Sequence, residues 1–455
     1  MLTVVLQKQA WGLQVKHGKE WVEVKPMHGA LLVNIGDLLH GDRLVNLITR
    51  SVLDSTQLAF DTAIKSKQTK DIKNQRLEQK PRKRRRKMTM NGDAPGENEY
   101  DRAKEVKEFD ESKIGCKGLV DSGATTIPRF FIHPNTQSLQ LTQSSSSHLI
   151  PTIDLSHALS HRRSEIIHQI RHASHTWGFF QVIHHDIPIS VLDDTISAVR
   201  SFNELPTEIK SQHYHREMGS SVNFQTNFDL YRSSAATWRD TLQLRLGPDP
   251  PVVDRIPDAC RKELVEWDVH VRRMGEVLMG LLSEGLGLEK GKLEEMTCLE
   301  SRQLVAHYYP YCPQPDLTLG IGSHTDPGVL TVLLQDQVGG LQVKHGEEWV
   351  EIKPMHGAIV VNIGDLLQMM SNDEYKSVEH RVLANPFREP RISIGVFFNP
   401  SKRGDTDYYG PVPELLCDGK VAHYRDFTMG EFMGRLFSRE LGTLVNHFKL
   451  QRPSI

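Results

Sequence analysis

A histidine and an aspartate two residues apart, His324 and Asp326, offer one nitrogen and one oxygen ligand from a single short segment. On an extended backbone, residues i and i+2 point to the same side, so both side chains can reach one metal ion. His380, further along the chain, is the candidate for a third ligand. Two imidazoles and one carboxylate on one face of an octahedral ion leave three positions open, a ligand set that suits non-haem Fe(II). The pair alone is a common pattern, so this prediction depends on the residues that surround it.

A carboxylate-binding pair follows the third ligand. Arg391 and Ser393 lie two residues apart in an apolar stretch that predicts a strand, so their side chains share one face. A guanidinium beside a hydroxyl can hold a carboxylate through two parallel hydrogen bonds. A metal centre together with a buried carboxylate anchor implies a diacid co-substrate that chelates the metal at one end and reaches Arg391 at the other.

The elements that must position these residues change character along the chain. Helical periodicity predicts helices near residues 166–177, 190–202 and 259–286, and a last one near 429–441. Beyond Ser301 the pattern becomes short apolar runs separated by Gly, Pro and Asp. The predicted strands are Leu304–Tyr309, Leu330–Leu334, Leu341–Lys344, Trp349–Ile352, Ala358–Asn362, Val378–Val382 and Arg391–Phe398. This spacing favours a mostly β fold, a sandwich or barrel, with flanking helices.

An internal repeat lies at the N-terminus. Residues 2–39 match residues 330–367 without a gap, and 30 of these 38 positions are identical. The copy begins after the position equivalent to Asp326 and loses similarity before the position equivalent to His380. It therefore cannot assemble the metal centre, and the chain is predicted to hold one such centre. Strands without their partners expose unpaired edges, so we expect the copy to be poorly ordered or loosely docked.

The sequence predicts five regions. They are the partial duplicate at 1–40, a basic and polar linker at 41–147 that is disordered in large part, a helix-and-strand region at 148–298, a jelly-roll domain at 299–400 and a C-terminal extension with a helix at 401–455. Between Ala63 and Lys87 the linker holds twelve Lys or Arg against two acidic residues. The run Lys80–Lys87 is compatible with nuclear localisation or nucleic-acid binding, but a solvated linker is the favoured interpretation.

Composition narrows the class of protein. The chain has 455 residues and a formal net charge of −2, which does not favour a nucleic-acid or membrane partner. It lacks both an apolar run of about 18 residues and a secretory signal pattern. Five scattered cysteines without a C-x-x-C motif suit a reducing compartment. We expect a monomeric, cytoplasmic protein whose partner is a small molecule.

From about Met88 to the C-terminus the sequence resembles the plant 2-oxoglutarate/Fe(II)-dependent dioxygenases, and most closely the 1-aminocyclopropane-1-carboxylate oxidase homologue group. The motifs that carry this resemblance occur in the family order. They are Trp177-Gly178-Phe179-Phe180-Gln181-Val182, Trp238-Arg239-Asp240, Tyr308-Tyr309-Pro310-Tyr311-Cys312-Pro313, His324-Thr325-Asp326, Asn362-Ile363-Gly364-Asp365, Glu379-His380-Arg381-Val382 and Arg391-Ile392-Ser393.

The resemblance implies a double-stranded β-helix, or jelly-roll, core with His324, Asp326 and His380 as catalytic Fe(II) ligands. It implies that Arg391 and Ser393 hold the distal carboxylate of 2-oxoglutarate, with O2 as co-substrate and ascorbate as an optional reductant. Tyr309 is a further co-substrate contact. His307 stands where related enzymes often carry Asn, and it either contacts the co-substrate or packs. For Trp238-Arg239-Asp240, packing with an ion pair is favoured over a position at the substrate entrance.

Three functions compete at this level. The first is hydroxylation or desaturation of a small plant secondary metabolite or hormone, with release of succinate and CO2. The second is ethylene formation from 1-aminocyclopropane-1-carboxylate with ascorbate, which shares the same motifs. The segment from Asp101 to Gly123 resembles the homologue group and so favours the first. The third is a non-catalytic fused or decaying copy, against which the intact set of candidate ligands argues. The sequence leaves the prime substrate open.

Overall fold

The computed structural model describes residues 100–136, 149–158, 160–216, 219–401, 407–417, 419–438 and 444–450, and four backbone strands within residues 2–35. The chain divides into two compact units, Met1–Glu97 and Asn98–Ile455. The strands, numbered in chain order, are β1 Leu2–Leu6, β2 Gln14–His17, β3 Glu20–Glu23, β4 Leu31–Ile35, β5 Thr152–Asp154, β6 Phe179–Ile183, β7 Val222–Thr226, β8 Asp240–Gly247, β9 Ser301–Tyr309, β10 Leu319–His324, β11 Leu330–Gln335, β12 Leu341–His345, β13 Glu348–Glu351, β14 Ile359–Ile363, β15 His380–Leu383, β16 Arg391–Asn399, β17 Tyr408–Tyr409 and β18 Phe427–Thr428.

Two facing sheets form the core of the larger unit. The eight-stranded sheet has the order β5-β6-β14-β11-β16-β9-β8-β7, and the four-stranded sheet has the order β10-β15-β12-β13. Alternation along the strands explains how the large sheet is buried on both faces. Phe179 and Val360 pack in a cluster with residues of the small sheet. Phe180 and Val361 belong to the cluster shared with the helices. These two layers confirm the predicted mostly β fold with flanking helices.

The larger unit has nine described α-helices, the longest of which pack on the large sheet. They are α1 Arg102–Ser112, α2 Gly115–Asp121, α3 Arg163–Thr176, α4 Ile189–Glu204, α5 Thr207–Lys210, α6 Arg261–Gly285, α7 Lys292–Glu295, α8 Asp365–Met370 and α9 Met429–Ser438. In α6, Leu264, Trp267, Val271, Met274 and Leu278 are buried at helical spacing, as the sequence pattern predicts. Among the described residues, none of the helices is long and apolar enough to span a membrane.

Part of the predicted linker 41–147 is folded, which corrects the sequence-based prediction for residues 100–136. Val106 and Phe109 of α1 are buried in a cluster with Phe131 and Trp238, whose rings meet edge to face with centroids 5.0 Å apart. The sequence pattern missed α1 because only a few of its residues are apolar. Its outer face carries Lys–Glu pairs at i,i+4, which give it the composition of a linker. The remainder of the predicted linker, including its basic run, lies outside the described residues.

The N-terminal unit repeats the strand pairing of its parent segment. β1 pairs antiparallel with β4, with Leu2 opposite Ile35. β11 pairs with β14 in the same way, with Leu330 opposite Ile363. β2 and β3 form an antiparallel pair, as β12 and β13 do. The repeat therefore keeps both the strand pairs and the register of the original.

Candidate active site

Strand pairing brings the two candidate histidine ligands together. β10 and β15 are antiparallel, and His324 at the end of β10 lies opposite His380 at the start of β15. Their ring centroids are 4.2 Å apart. The strand ends at His324, and the turn that follows places Asp326 Oδ1 3.6 Å from Nε2 of each imidazole. Among the described residues, these three are the one cluster of possible metal ligands (His, Cys, Asp or Glu) whose ligand atoms lie close enough together to share an ion.

Hydrogen bonds fix which atom of each histidine faces the shared space. Nδ1 of His324 lies 2.9 Å from the Gly322 carbonyl oxygen, and Nδ1 of His380 lies 3.2 Å from that of Val378. A carbonyl can only accept, so Nδ1 carries the proton in both rings and Nε2 keeps its lone pair. Both lone pairs are therefore available near Asp326 Oδ1, which is the arrangement that metal-binding histidines need.

The Asp326 carboxylate is held from its other oxygen. Oδ2 accepts hydrogen bonds from Thr331 Oγ1 at 2.6 Å and Asn362 Nδ2 at 2.7 Å. Thr331 belongs to β11 and Asn362 to β14, which are paired so that these two residues lie opposite each other. The carboxylate is 3 % exposed and presents Oδ1 to the imidazoles. Two neutral nitrogens and one oriented carboxylate oxygen fit a divalent ion such as Fe(II).

The protonation states of His324 and Asp326 also suit metal binding. Burial lowers the pKa of His324 to about 4, and the neighbouring His380 acts in the same direction. Burial acts to raise the pKa of Asp326, but the two imidazoles and the bonds from Asn362 and Thr331 outweigh it and hold the pKa below its ordinary value. At neutral pH the imidazole of His324 is therefore unprotonated and Asp326 is ionised, as metal ligands must be.

A glycine contact places the loop that carries Asp326. A Cβ on Gly364 would lie 2.1 Å from the Gly328 carbonyl oxygen, so only glycine allows the two backbones to approach this closely. The Asp365 amide donates to the Asp326 carbonyl oxygen at 2.7 Å, and the Asp365 side chain accepts from Thr325 Oγ1 at 3.0 Å. The Asn-Ile-Gly-Asp motif therefore positions the metal-binding loop from both its backbone and its side chains.

The predicted carboxylate clamp lies on the large sheet. In the β16–β9 register Arg391 is opposite Tyr309 and Ser393 is opposite His307, so these four side chains share one face. Arg391 is 1 % exposed. Its Nη1 donates to Ser393 Oγ at 3.0 Å and its Nη2 donates to Gln335 Oε1 at 3.0 Å. No sequence pattern marked Gln335 for this role, because it enters the site through the pairing of β11 with β16.

The hydrogen bonding of this clamp is incomplete. Arg391 Nε and the Tyr309 hydroxyl are buried without a hydrogen-bond partner. The guanidinium carbon lies 4.9 Å from the Tyr309 ring centroid. In the described part of the chain, no carboxylate forms an ion pair with Arg391. Asp336 acts on the Arg391 charge without pairing with it. A buried guanidinium whose hydrogen-bond partners are all neutral fits the carboxylate of a ligand such as 2-oxoglutarate.

His307 lies on the same face as the clamp, opposite Ser393. Its Nδ1 lies 3.0 Å from Thr241 Oγ1 of β8. Burial lowers its pKa well below the ordinary value, and the charges of Arg239 and Arg391 act in the same direction. His307 is therefore neutral, with one ring nitrogen paired to Thr241. The sequence left open whether His307 contacts the co-substrate or packs. Its pairing with Thr241 follows from the β8–β9 register, in which these two residues lie opposite each other.

Comparison with known sequences agrees with this geometry. The chain matches the 2OG-Fe(II) oxygenase superfamily over residues 1–53 and 300–400. Residues 150–262 match the N-terminal region described as non-haem dioxygenase in morphine synthesis. The 1-aminocyclopropane-1-carboxylate oxidase homolog 1 of Arabidopsis thaliana is 46 % identical over 335 residues, which is 73 % of this chain and 92 % of the relative. Homolog 12 of the same plant is 44 % identical over 75 % of this chain and 95 % of its own length.

Solved structures share the fold. JOX2 in complex with 2OG, Fe and JA has a TM-score of 0.64 and 29 % identity, covering 74 % of this chain and 98 % of JOX2. The dioxygenase for auxin oxidation in rice has a TM-score of 0.56 and 26 % identity, covering 66 % of this chain and all of that protein. The chain belongs to the 2OG-Fe(II) oxygenase family. It is an oxidoreductase with a jelly-roll core that uses Fe(II) and 2-oxoglutarate, as the resemblance of its motifs implied.

Proposed function

We propose that His324, Asp326 and His380 are the catalytic ligands that bind Fe(II) in this dioxygenase. The observation that carries this proposal is the single carboxylate oxygen of Asp326 lying 3.6 Å from Nε2 of both histidines. Every other polar atom of the three side chains is engaged elsewhere, so each residue has one atom left for a metal. When bound, Fe(II) and 2-oxoglutarate supply the oxidation of the prime substrate coupled to release of succinate and CO2.

We infer that Arg391 and Ser393 bind the distal carboxylate of 2-oxoglutarate, with Tyr309 as a further contact. Support comes from the buried Arg391 Nε and Tyr309 hydroxyl, which have no partner among the described residues. A carboxylate at this position would satisfy both groups and neutralise the guanidinium. His307 is neutral and lies beside the clamp, so it can donate or accept a hydrogen bond to the co-substrate without adding charge.

The prime substrate of this enzyme is proposed to be a small plant metabolite or hormone. JOX2 was solved with JA, and the rice relative carries out auxin oxidation, so proteins of this fold accept small molecules of the size of hormones. Phe179, which packs edge to face on His380 with ring centroids 5.1 Å apart, keeps one side of the metal site apolar. Excluding water there favours oxidation of the bound substrate over side reactions. Both hydroxylation and desaturation fit this site.

We take the catalytic unit to be the segment Asn98–Ile455, with 148–298 and 299–400 as its two regions, acting as a cytoplasmic monomer. The N-terminal copy of residues 330–367 holds no candidate ligand and is proposed to be dispensable. Deleting residues 1–87 tests this: metal binding and succinate release should be unchanged, and size-exclusion chromatography should give the mass of one chain. Loss of Fe(II) binding on this deletion would contradict the proposal.

Succinate release from 2-oxoglutarate, with Fe(II), O2 and candidate substrates, tests the function. Wild-type protein should release succinate in a substrate-dependent way. His380→Ala should abolish both this turnover and the binding of Fe(II) measured anaerobically by absorption in the presence of 2-oxoglutarate, because it removes a ligand. His345→Ala is a matched control in the neighbouring strand β12, and it should keep both.

Two results would refute the proposal in different ways. Retained Fe(II) binding by His380→Ala would show that a different residue is the third ligand. Ethylene formed from 1-aminocyclopropane-1-carboxylate with ascorbate, without consumption of 2-oxoglutarate, would replace the 2-oxoglutarate-dependent reaction with the ethylene-forming one.

A further inference from the structure

Arg239 places a second guanidinium on the wall of the site. It lies two residues before Thr241, whose hydroxyl pairs with His307, so alternation along the chain directs Arg239 toward the same side. Its Nη1 donates to the Gly320 carbonyl oxygen at 2.8 Å, and Gly320 belongs to β10, the strand that ends in His324. The positive charge of Arg239 also contributes to the lowered pKa values of His307 and His324.

Arg239 has few hydrogen-bond partners, and the carboxylates of Asp229 and Asp240 act on its charge without pairing with it. Nη1 donates to Gly320 and to the Thr237 hydroxyl, whereas Nε is buried without a partner. Across the described residues, neither a carboxylate ion pair to Arg239 nor a hydrogen bond from its Nη2 is present. The residue is half-buried: Nε is enclosed, and Nη2 is the end of the unpaired edge that keeps exposed surface. Burial lowers its pKa, yet a guanidinium stays charged at neutral pH.

The two guanidiniums approach the site from different strands. Arg391 lies on β16 and Arg239 directly precedes β8, and these two strands flank β9 on opposite sides. His307 and Tyr309 of β9 lie between them. One dicarboxylate co-substrate held at Arg391 therefore leaves Arg239 without a partner. The neighbouring residues Trp238 and Asp240 are buried and packed, so of this motif only Arg239 faces the site.

We propose that Arg239 binds a carboxylate of the prime substrate, which makes the substrate a small organic acid. This inference rests on the proposed function, in which Arg391 is committed to 2-oxoglutarate. Nε and Nη2 of Arg239 form the edge that holds two carboxylate oxygens side by side, and that edge is the unpaired one. Arg239 is thus a substrate-binding residue that selects for a negative charge near the metal ligands.

A small-molecule extract of Arabidopsis thaliana leaves, separated into acidic, neutral and basic fractions, supplies the probes. Succinate release above the substrate-free rate is measured for wild type, Arg239→Gln, Arg239→Lys and the control Arg245→Gln. Arg245 is an exposed residue of the same strand β8. The acidic fraction should stimulate wild type and Arg245→Gln, and methyl esterification of that fraction should remove the effect. Thermal unfolding of each variant shows whether it is folded.

For the active acid, Arg239→Gln should raise KM about 10- to 100-fold, because a charge-assisted hydrogen bond is lost. Arg239→Lys should recover part of this, since it keeps the charge but not the paired donors. The KM for 2-oxoglutarate should rise far less than the KM for the acid. A rise confined to 2-oxoglutarate would assign Arg239 to the co-substrate and overturn the proposal.

Stimulation confined to the neutral or basic fraction, or equal stimulation of wild type and Arg239→Gln, would also overturn it. So would the absence of stimulation by every fraction. In each of these cases the proposed function is judged separately, by Fe(II)-dependent binding of 2-oxoglutarate to wild-type protein, so the two failures are distinguishable.

Discussion

The hydroxyl of Thr331 offers a test of how the Asp326 carboxylate is prepared for metal. Thr331→Val keeps the shape of the side chain but removes the donor that lies 2.6 Å from Asp326 Oδ2. The bond from Asn362 remains. A hydrogen bond to a charged group contributes about 1.5–3 kcal/mol, and about 1.4 kcal/mol corresponds to a tenfold change in affinity. We therefore expect the Kd for Fe(II) to rise about 10- to 100-fold, the range found for residues that orient metal ligands.

The same substitution should make metal binding more sensitive to acid. The bond from Thr331 is one of the interactions that hold the pKa of Asp326 below its ordinary value, against the effect of burial. Removing the bond raises this pKa, so protons compete with the metal at a higher pH than in wild type. Affinity should accordingly fall more steeply for Thr331→Val than for wild type as the pH is lowered from 7 toward 4, close to the ordinary carboxyl pKa of 3.8.

Anaerobic titration with Fe(II) in the presence of 2-oxoglutarate, repeated across this pH range, measures both effects. Thr318→Val is the matched control, because the Thr318 hydroxyl is buried without a hydrogen-bond partner and lies outside the site. That variant should bind Fe(II) as wild type does. Equal affinities for Thr331→Val and Thr318→Val would refute the argument that the bond to Oδ2 prepares Asp326 for the metal.

Two further predictions concern the clamp and the thiols. Arg391→Lys should raise the KM for 2-oxoglutarate about 10- to 100-fold in a succinate-release assay, because lysine cannot form the paired bonds, whereas the exposed Arg388→Lys should leave it unchanged. Only Cys417 should react rapidly with a thiol reagent at pH 8 in the native protein, because the other four cysteines are buried and burial raises their pKa values. In denaturant all five cysteines should react. Fast labelling of a buried cysteine in the native protein would contradict this packing.

The chemistry of the site was more predictable from sequence than its orientation. The spacing of His324 and Asp326 and the pair Arg391 and Ser393 are local patterns, so the residues could be named before the fold. The second bond that orients Asp326 is non-local. Asn362 reaches Asp326 from 36 residues away only because β14 pairs with β11, and this order of strands cannot be derived from the sequence pattern of any one strand.

Two regions show why sequence patterns fell short. The helices α1 and α2 were assigned to a linker, because their few apolar residues gain their burial from Trp238, which lies far away in the chain. For Arg239 the sequence favoured packing with an ion pair over a position at the substrate entrance, and the contact that orients its side chain, with Gly320 of β10, lies 81 residues away in the chain. In both cases the missing information was long-range contact, which local periodicity does not record.

The distribution of the site over two sheets has a consequence for the choice of co-substrate. The histidine ligands His324 and His380 lie on the small sheet, whereas Arg391 lies on the large one. Facing sheets keep a separation of about 10 Å that is set by the side chains between them. With these assignments, the distance between the two anchoring points is a property of the whole core and not of any loop. With these assignments, we expect a dicarboxylic acid one carbon shorter or longer to bridge the two anchoring points less well than 2-oxoglutarate does.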